Sequence, residues 1–281
     1  MSALIWLLGR LPRRALLRLG RICGWLWFHV IPIRRRVALE QMQLAFPEWS
    51  PERVYETVAE NFKQTATTFA EGALIPVLEP KLPAWYSQQG FEHFTAALAA
   101  GKGVIVIAGH IGNFDLFGVL QALAGHELTI VVRPIKNKAL DKRWNEMRSR
   151  FGTKVLMARR RMGAMKEILA ELKAGRAVAL LIDQNMAKDK GVFVDFFGRA
   201  ACTMELPALL AKRTGAAVVP GFMVRRPDGG HHATVLPPVT WRTGPNDLVL
   251  NTQAHTRVIE DIVRANPTQW LWVHRRWKTR P

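Results

Sequence analysis

The chain has 281 residues, of which 49% are hydrophobic, and 40 Lys and Arg against 22 Asp and Glu give it a formal net charge of +18. This length suits one large domain, or one domain with a small appendage. Two distant cysteines, Cys23 and Cys202, exclude a disulfide framework and fit a reducing compartment. The charge favours an anionic partner: nucleic acid, anionic lipid, a phosphorylated substrate or an acidic carrier protein.

Residues 1–36 alternate between apolar and basic stretches. The longest uncharged run, 22–33, has twelve residues and contains Pro32, whereas a membrane-spanning helix needs roughly 20. We therefore expect amphipathic helices that lie in the membrane interface, with tryptophans as anchors and arginines on lipid phosphates. These residues are Trp6, Trp25 and Trp27, and Arg13, Arg14, Arg18 and Arg21. A tilted span with snorkelling arginines and a basic helix packed on the domain are the alternatives.

The rest of the chain predicts one α/β domain, 37–281, with a helical subregion at 37–100. From residue 103 onward, short apolar runs alternate with helical patterns, which favours a mainly parallel central sheet flanked by helices. The predicted strands are 103–109, 128–133, 154–157, 177–183, 216–224 and 233–239. The predicted helices are 113–124, 137–151, 161–174, 203–214 and 247–265.

The segment 103–118, GVIVIAGHIGNFDLFG, carries the first candidate site. Its β-branched run predicts a buried strand, so His110 should lie just past the carboxyl end of that strand, where open α/β sheets bind their ligands. Imidazole can take a proton from a hydroxyl near neutral pH, and the Asp115 carboxylate could bond its other ring nitrogen. No Ser or Cys is present in the segment, so the nucleophile would be a hydroxyl of the substrate. The alternative is a loop histidine followed by an aspartate that favours the helix N-terminus.

Two further strand ends supply polar residues to the same edge. Arg133 follows LTIVV and suits bidentate capture of phosphate or carboxylate. Asp183 follows VALLI. With Asn113 at the predicted helix start, these residues are our candidates for substrate binding and oxyanion stabilisation. No metal site, cofactor or glycine-rich phosphate loop is expected.

Three other features are candidates for binding. The stretch 191–203 is expected to wall an acyl channel, with a hairpin in the core as the alternative; the channel candidates are Phe193, Phe196, Phe197 and Met204. The basic helix after Arg133 is expected to dock the donor through Lys142 and Arg143, with a solvated face as the alternative. The tail from Gln269 mixes tryptophan with basic residues and is expected to be strand-like, forming a membrane-surface patch or a nucleic-acid strip.

Together these motifs resemble a known family. The H-x-x-x-x-D pattern after a hydrophobic strand is similar to the signature of glycerolipid acyltransferases, and the fold implied is glycerol-3-phosphate-acyltransferase-like. The longer set resembles the bacterial lipid A late acyltransferases, the lauroyl/myristoyl family, over nearly the whole chain. The set is RRRVALEQMQLAFPEWSPE, GHIGNFDL, VVRPIKN, LLIDQN, GVFVDFFGRAACT, LAKRTGAAVVP and PTQWLWVHRRWKTRP.

This resemblance implies an enzyme on the cytosolic face of the inner membrane. It would move a fatty acyl chain from acyl carrier protein, or from acyl coenzyme A, to a hydroxyl of an anionic glycolipid acceptor, a lipid A precursor. His110 matches the general base, Asp115 its partner, Arg133 a phosphate or oxyanion group, and Asp183 an acidic residue that orients the site. Many members carry Glu where Asp115 stands, and the DQNMAKDKG stretch departs from the usual pattern.

Two alternatives follow from the same residues. One is an acyltransferase that acts on another bacterial glycolipid, phospholipid or aminolipid. The other, more distant, is a non-catalytic basic protein that binds lipid or nucleic acid. The polar residues at three strand ends favour an enzyme, because a binding module has no need of them, and we expect no nucleic-acid partner.

Overall fold

The computed structural model describes residue 8 and residues 10–78, 84–158 and 161–281. A seven-stranded sheet lies at its centre, with the strand order β1-β9-β8-β2-β5-β3-β4. The strands are β1 (Tyr86–Gln89), β2 (Val104–Ala108), β3 (Leu128–Val132), β4 (Lys154–Met157), β5 (Ala177–Leu181), β8 (Ala217–Arg225) and β9 (His231–Val235). Within the sheet, β8 and β9 pair antiparallel and the other neighbours pair parallel, which confirms the mainly parallel sheet. The short strand β1 was not predicted.

Strand β2 is the centre of this sheet because its sequence can be buried on both faces. All five residues of VIVIA are buried, and the strand pairs with β5 on one side and β8 on the other. Ile105 and Ile107 pack into one hydrophobic core, and Val104 and Val106 into the other. This alternation is what a pleated strand between two helical layers produces.

Nine helices cover the sheet in the described part of the chain. They are α1 (Arg13–His29), α2 (Arg35–Ala45), α3 (Pro51–Leu78), α4 (Phe91–Ala99), α5 (Phe114–Leu123), α6 (Lys138–Arg150), α7 (Arg161–Lys173), α8 (Leu206–Thr214) and α9 (Asp247–Ala265). The five helices predicted after residue 103 are confirmed, with ends that differ from the predicted ones by at most three residues. Helices α4 and α5 join the core on one face of the sheet, while α7, α8 and α9 join the core on the other.

The remaining strands form a hairpin, β6 (Val192–Phe196) and β7 (Arg199–Thr203), that packs against α9. Phe196 and Phe197 are buried in an aromatic cluster with Trp270, Trp272 and Trp277. The structure therefore confirms the alternative prediction for this stretch, an apolar hairpin in the core.

The C-terminal tail differs from its prediction. After α9 it runs in turns, and its pairing with the rest of the chain is a one-residue bridge between Trp270 and Ile111. Trp270, Trp272 and Arg276 are almost completely buried. Because these tryptophans fill the core, the expected strand and the expected aromatic surface strip are both wrong.

Helix α1 packs closely along α3. Leu16 and Phe28 are buried, and Gly20 and Gly24 face α3 so tightly that a Cβ at Gly24 would overlap backbone atoms of Phe62 and Lys63. The outer face of α1 and the turn after it remain exposed and apolar. Among the residues that the structure describes, no helix is long and apolar enough to cross a membrane.

This close contact gives a first prediction. Gly24→Ala should lower the free energy of unfolding by about 1–3 kcal/mol, because the new methyl group must push α1 away from α3. Gly163→Ala on α7 is the control, since a Cβ there meets nothing within 4 Å and should stabilise the helix by roughly 0.5–1 kcal/mol. Urea unfolding followed by circular dichroism measures both; equal effects of the two substitutions would contradict the packing.

Candidate active site

The loop after β2 is held in place from two sides. The backbone N–H of Leu271 donates to the His110 carbonyl, and that of Gly112 donates to the Gln269 carbonyl, at 3.0 and 2.9 Å. Gly112 has a φ of +54°, and any Cβ there would overlap the carbonyl oxygen of Met223. The loop therefore needs glycine at this position, and the tail fixes where the His110 backbone lies.

His110 forms its main polar contact with Asp183, at the end of the neighbouring strand β5. Its Nδ1 lies 2.8 Å from Asp183 Oδ1, and its backbone N–H donates to Asp183 Oδ2 over 2.8 Å. The indole N–H of Trp270 donates to the same Oδ2 over 2.7 Å. Asp183 is thus a buried carboxylate that accepts three hydrogen bonds.

The charge state of Asp183 follows from these contacts. Burial alone would raise its pKa, but the positive charge that His110 can carry, together with the hydrogen bonds from His110 and Trp270, lowers the pKa from 3.8 to about 2. An ionised carboxylate only accepts hydrogen bonds, so His110 Nδ1 donates to Asp183, and in the neutral ring Nε2 carries the lone pair. This is the tautomer that a general base at Nε2 requires.

His110 lines a small cleft. The side-chain amide nitrogen of Gln184 lies 3.3 Å from Nε2. Thr65 and Thr68 of α3 line the cleft together with His110 and Phe114, and the rings of His110 and Phe114 meet edge to face at 5.0 Å between centroids. A substrate hydroxyl that approaches through this cleft would replace the Gln184 amide at Nε2.

Asp115 occupies a different place from the one expected. Its carboxylate accepts hydrogen bonds from Trp144 Nε1 at 2.7 Å and from Arg148 Nε at 2.8 Å. The predicted contact between Asp115 and the imidazole is therefore corrected: the carboxylate that contacts the imidazole is Asp183. The physical reason is direction, because from the first turn of α5 the Asp115 side chain points toward α6, whereas β5 ends beside β2.

The side chain of Asn113 also makes contacts that differ from the predicted ones. Its side-chain oxygen accepts from the Leu116 N–H and caps α5, and its amide nitrogen donates to Glu71 Oε2. Glu71 belongs to a buried cluster in which Arg225 and His231 contact it at 2.7 and 3.1 Å. Burial opposes ionisation of Glu71, but Arg225 holds its pKa well below the usual value. With its side chain engaged at both ends, Asn113 positions the loop rather than offering a free donor to an oxyanion.

Arg133 and the other predicted rim residues lie at the expected edge. Arg133 follows β3, is exposed, and reaches the loop after β5, where its guanidinium lies 3.5 Å from Met186 Sδ. Lys142 and Arg143 are exposed on α6, and Lys142 pairs with Glu146 at 3.8 Å. Strand order thus brings the ends of β2, β5 and β3 together, as predicted for His110, Asp183 and Arg133.

A narrow apolar cavity of about 70 Å³ lies between the sheet and α5, and the two residues that flank His110 in the chain, Gly109 and Ile111, line it. Val106, Ile130 and Ala179 from the sheet and Phe117 from α5 are among its lining residues, and Asp115 and Arg148 also line it. Phe114 lines both this cavity and the cleft at His110.

The four predicted channel residues lie elsewhere: Phe196 and Phe197 are buried in the aromatic cluster, and Phe193 and Met204 are half-buried beside the hairpin. None of these four residues lines the cavity under α5.

Sequence reasoning missed Trp270 and underrated Gln184. Both stand within motifs that were noted, QWLWVHRR and LLIDQN, but the composition of the tail pointed to a surface. A tryptophan and a glutamine are recognised as site residues here only by their distances to Asp183 and His110.

The lowered pKa of Asp183 predicts a specific acid dependence of stability. A carboxylate with a folded-state pKa of about 2 against 3.8 unfolded stabilises the fold by roughly 2 kcal/mol above pH 4, and this contribution is lost as the pH falls from 4 toward 2. Asp183→Asn lacks this titration. We expect the difference in unfolding free energy between wild type and Asp183→Asn to shrink over that range in urea titrations; a difference that is constant with pH would contradict the ionised buried carboxylate.

Comparison with known proteins agrees with this geometry. The family model described as bacterial lipid A biosynthesis acyltransferase matches residues 1–279. The lipid A biosynthesis lauroyltransferase of Escherichia coli is 29% identical over 287 aligned positions, which cover 99% of this chain and 90% of the relative. The lipid A biosynthesis palmitoleoyltransferase of the same organism is 27% identical, with 99% and 89% covered. A phosphatidylinositol mannoside acyltransferase of Mycobacterium tuberculosis is 31% identical, over 67% of this chain and 58% of its own length.

The family match spans both ends of the molecule, and it includes the loop of His110, the strand end of Asp183 and the tail that carries Trp270. The relatives are named for acyl transfer, which is chemistry that a histidine hydrogen-bonded to a buried aspartate can support. The chain is therefore an acyltransferase and belongs to the bacterial lipid A biosynthesis acyltransferase family.

Proposed function

We propose that the protein transfers a fatty acyl chain from acyl carrier protein to a hydroxyl of a lipid A precursor, on the cytosolic face of the inner membrane. One observation carries this proposal: His110, hydrogen-bonded to Asp183, lines a cleft, and its chain neighbours Gly109 and Ile111 line an apolar cavity. Such a position suits a base that must meet a hydroxyl from one side and an acyl thioester whose chain lies on the other.

The reaction follows from the tautomer. The acceptor hydroxyl gives its proton to His110 Nε2 as its oxygen attacks the thioester carbonyl, and a tetrahedral intermediate forms. The imidazolium is stabilised by Asp183 at Nδ1. When the intermediate collapses, the carbon–sulfur bond breaks and the proton passes from Nε2 to the departing thiolate, so the histidine returns to its starting state.

The developing oxyanion needs a donor. The backbone N–H groups of Ile111, Gly112 and Asn113 already donate to backbone carbonyls, which favours Arg133 from the neighbouring strand end. A guanidinium is well suited to this because it presents several donors in a fixed plane. The acyl chain would enter under α5, past Phe114, and the cavity must widen to hold it.

The acceptor is proposed from the family. A relative named for phosphatidylinositol mannoside acylation supports the alternative that another glycolipid takes the acyl group. Mass spectrometry of the membrane glycolipids from a deletion strain and from the same strain after complementation distinguishes the two acceptors. The glycolipid that lacks an acyl chain in the deletion strain is the acceptor.

The catalytic assignment gives a prediction that separates the two aspartates. His110→Ala should lower kcat by about 10²–10⁴, the usual range for loss of a general base. Asp183→Asn should lower it to a similar extent, because an amide can leave the imidazole in the wrong tautomer. Asp115→Asn should retain activity within about tenfold, since it keeps one oxygen for Trp144 and lies away from the imidazole.

These rates should be measured with purified, folded variants, a defined acyl donor and a lipid A precursor. Retention of secondary structure by circular dichroism is the control for folding. Wild-type activity in folded His110→Ala would contradict the general base, and a larger loss in Asp115→Asn than in Asp183→Asn would return the orienting role to Asp115.

We further propose that the exposed apolar surface at the end of α1 binds the membrane. Val30, Ile31 and Ile33 are 60%, 58% and 64% exposed, and Ile22, Trp25 and Leu26 are exposed on the same helix. Contiguous apolar residues flanked by arginines are typical of interfacial binding. Because Leu16 and Phe28 are buried against the body, deleting this region would damage the core, so point substitutions are the better test.

Ile31→Ser/Ile33→Ser should weaken binding to vesicles of anionic phospholipid at least tenfold, because each isoleucine contributes roughly 1.5–3 kcal/mol when it leaves water. Val249→Ser/Leu250→Ser removes two exposed apolar residues from α9 and is the matched control, expected to bind as wild type. Vesicle co-sedimentation measures both. Equal retention by all three proteins would show that another surface carries the membrane contact.

Donor docking is proposed for the exposed basic face of α6. Acyl carrier protein is acidic, so Lys142→Glu/Arg143→Glu should raise its KM several-fold with kcat little changed, and added salt should narrow the difference. Lys166→Glu/Lys173→Glu on α7 makes the same charge change at exposed positions and should leave KM near wild type. If the two double variants raise KM for acyl carrier protein equally, the long-range electrostatic field of the protein attracts the donor, and α6 is not its docking face.

A further inference from the structure

A depression of about 960 Å³, larger than the cavity under α5, lies beside the turn between α1 and α2. Arg34 lines it from that turn and Arg36 from the start of α2, and Arg275 and Lys278 line it from the tail. Glu40 is the carboxylate on its wall. Four cationic side chains and one carboxylate thus line the same depression, and the catalytic pair is not part of its lining.

The cations of this depression are largely uncompensated. Arg36 pairs with Glu40 at 2.7 Å, whereas Arg34 donates to the carbonyl of Val273 at 3.2 Å. Within the described ranges, no carboxylate pairs with Arg275 or Lys278. Like charges held around one cavity repel one another, and an anion with several oxygens would relieve that repulsion.

The backbone on both sides holds these side chains in place. Arg34 has a φ of +63°, a conformation that costs a non-glycine residue about 1–3 kcal/mol. In the tail, Arg276 is buried and donates to the Cys202 carbonyl, which leaves its neighbours Arg275 and Lys278 on the cavity side. His274, also on the wall, accepts from the Asn185 N–H, and burial lowers its pKa to about 4, so it is neutral at physiological pH.

Residues that line the depression are chain neighbours of both the proposed membrane-binding surface and the catalytic pair. Pro32, which lines it, belongs to the same turn as the exposed Val30, Ile31 and Ile33. On the other side, Asn185 lines it, while Gln184 contacts His110 Nε2. A headgroup that sits just below the lipid surface would therefore reach the cations and extend along residues 183–185 toward His110.

We propose that this depression binds a phosphate group on the headgroup of the acceptor lipid and thereby selects the hydroxyl that reaches His110. The inference rests on the proposed acyl transfer to a membrane glycolipid. Arginine and lysine together give bidentate and point-charge contacts to phosphate oxygens, and the apolar turn above them fits a ligand that carries acyl chains. The phosphate of the donor is the competing source of the same chemistry.

The test uses Arg275→Gln/Lys278→Gln in the full chain, with Lys166→Gln/Lys173→Gln on α7 as a control of equal charge. Acyl transfer is measured with a phosphorylated glycolipid acceptor and with the same acceptor after phosphatase treatment. We expect the pocket variant to raise KM for the phosphorylated acceptor about tenfold or more, with little change in KM for the donor or for the dephosphorylated acceptor. The control variant should match wild type.

A second measurement does not depend on catalysis. Vesicles of zwitterionic lipid that contain the phosphorylated or the dephosphorylated glycolipid are co-sedimented with each protein, with and without inorganic pyrophosphate. We expect wild type and control to prefer the phosphorylated vesicles and pyrophosphate to reduce that preference, and the pocket variant to show a clearly smaller preference.

Three outcomes would overturn the inference: a rise in KM for the donor alone, equal loss in the pocket and control variants, or equal binding of both vesicle types by wild type. If wild type transfers no acyl group, the proposed function fails, and the vesicle measurement still decides whether the depression binds phosphate.

Discussion

A buried carboxylate is stable only when its charge is compensated by donors that the fold brings to it. Asp183 receives two hydrogen bonds from His110 and one from Trp270, which come from the end of β2 and from the C-terminal tail. The tail must therefore fold back over the carboxyl edge of the sheet before the site exists. Its backbone contacts at Gln269 and Leu271 also hold the histidine loop, so the path of the tail and the orientation of the imidazole are one structural constraint.

The sheet and most helices could be predicted because their signals are local. Apolar runs such as VIVIA and AVALL are too short for helices and lack the alternation of a half-exposed strand, and the segments between them have helical spacing. The order of the strands depends on pairing between segments that are distant in the chain. The rule that parallel strands present their carboxyl ends at one edge is nevertheless sufficient to place His110, Asp183 and Arg133 together. Strand β1, with four residues and mixed exposure, carries no comparable signal.

The parts that sequence reasoning placed wrongly all depend on side-chain direction or on burial. Asp115 stands five residues from His110 in the chain, yet it turns toward Trp144 and Arg148, and Asp183 reaches the imidazole from 73 residues away. The tryptophans of the tail have the composition of a membrane surface but fill the core. Phe196 and Phe197 are similarly drawn into this aromatic cluster, which leaves the apolar space next to His110 to residues of α5 and the sheet. The family resemblance located these motifs correctly without showing which way their side chains point.

The central claim is that an ionised Asp183 holds the proton of His110 on Nδ1. Nuclear magnetic resonance of protein with isotope-labelled histidine tests it most directly, because a ring proton hydrogen-bonded to a buried carboxylate is protected from exchange and resonates far downfield. The account predicts this resonance in wild type and in Asp115→Asn, and its loss in Asp183→Asn. A resonance that persists in Asp183→Asn and disappears in Asp115→Asn would contradict it.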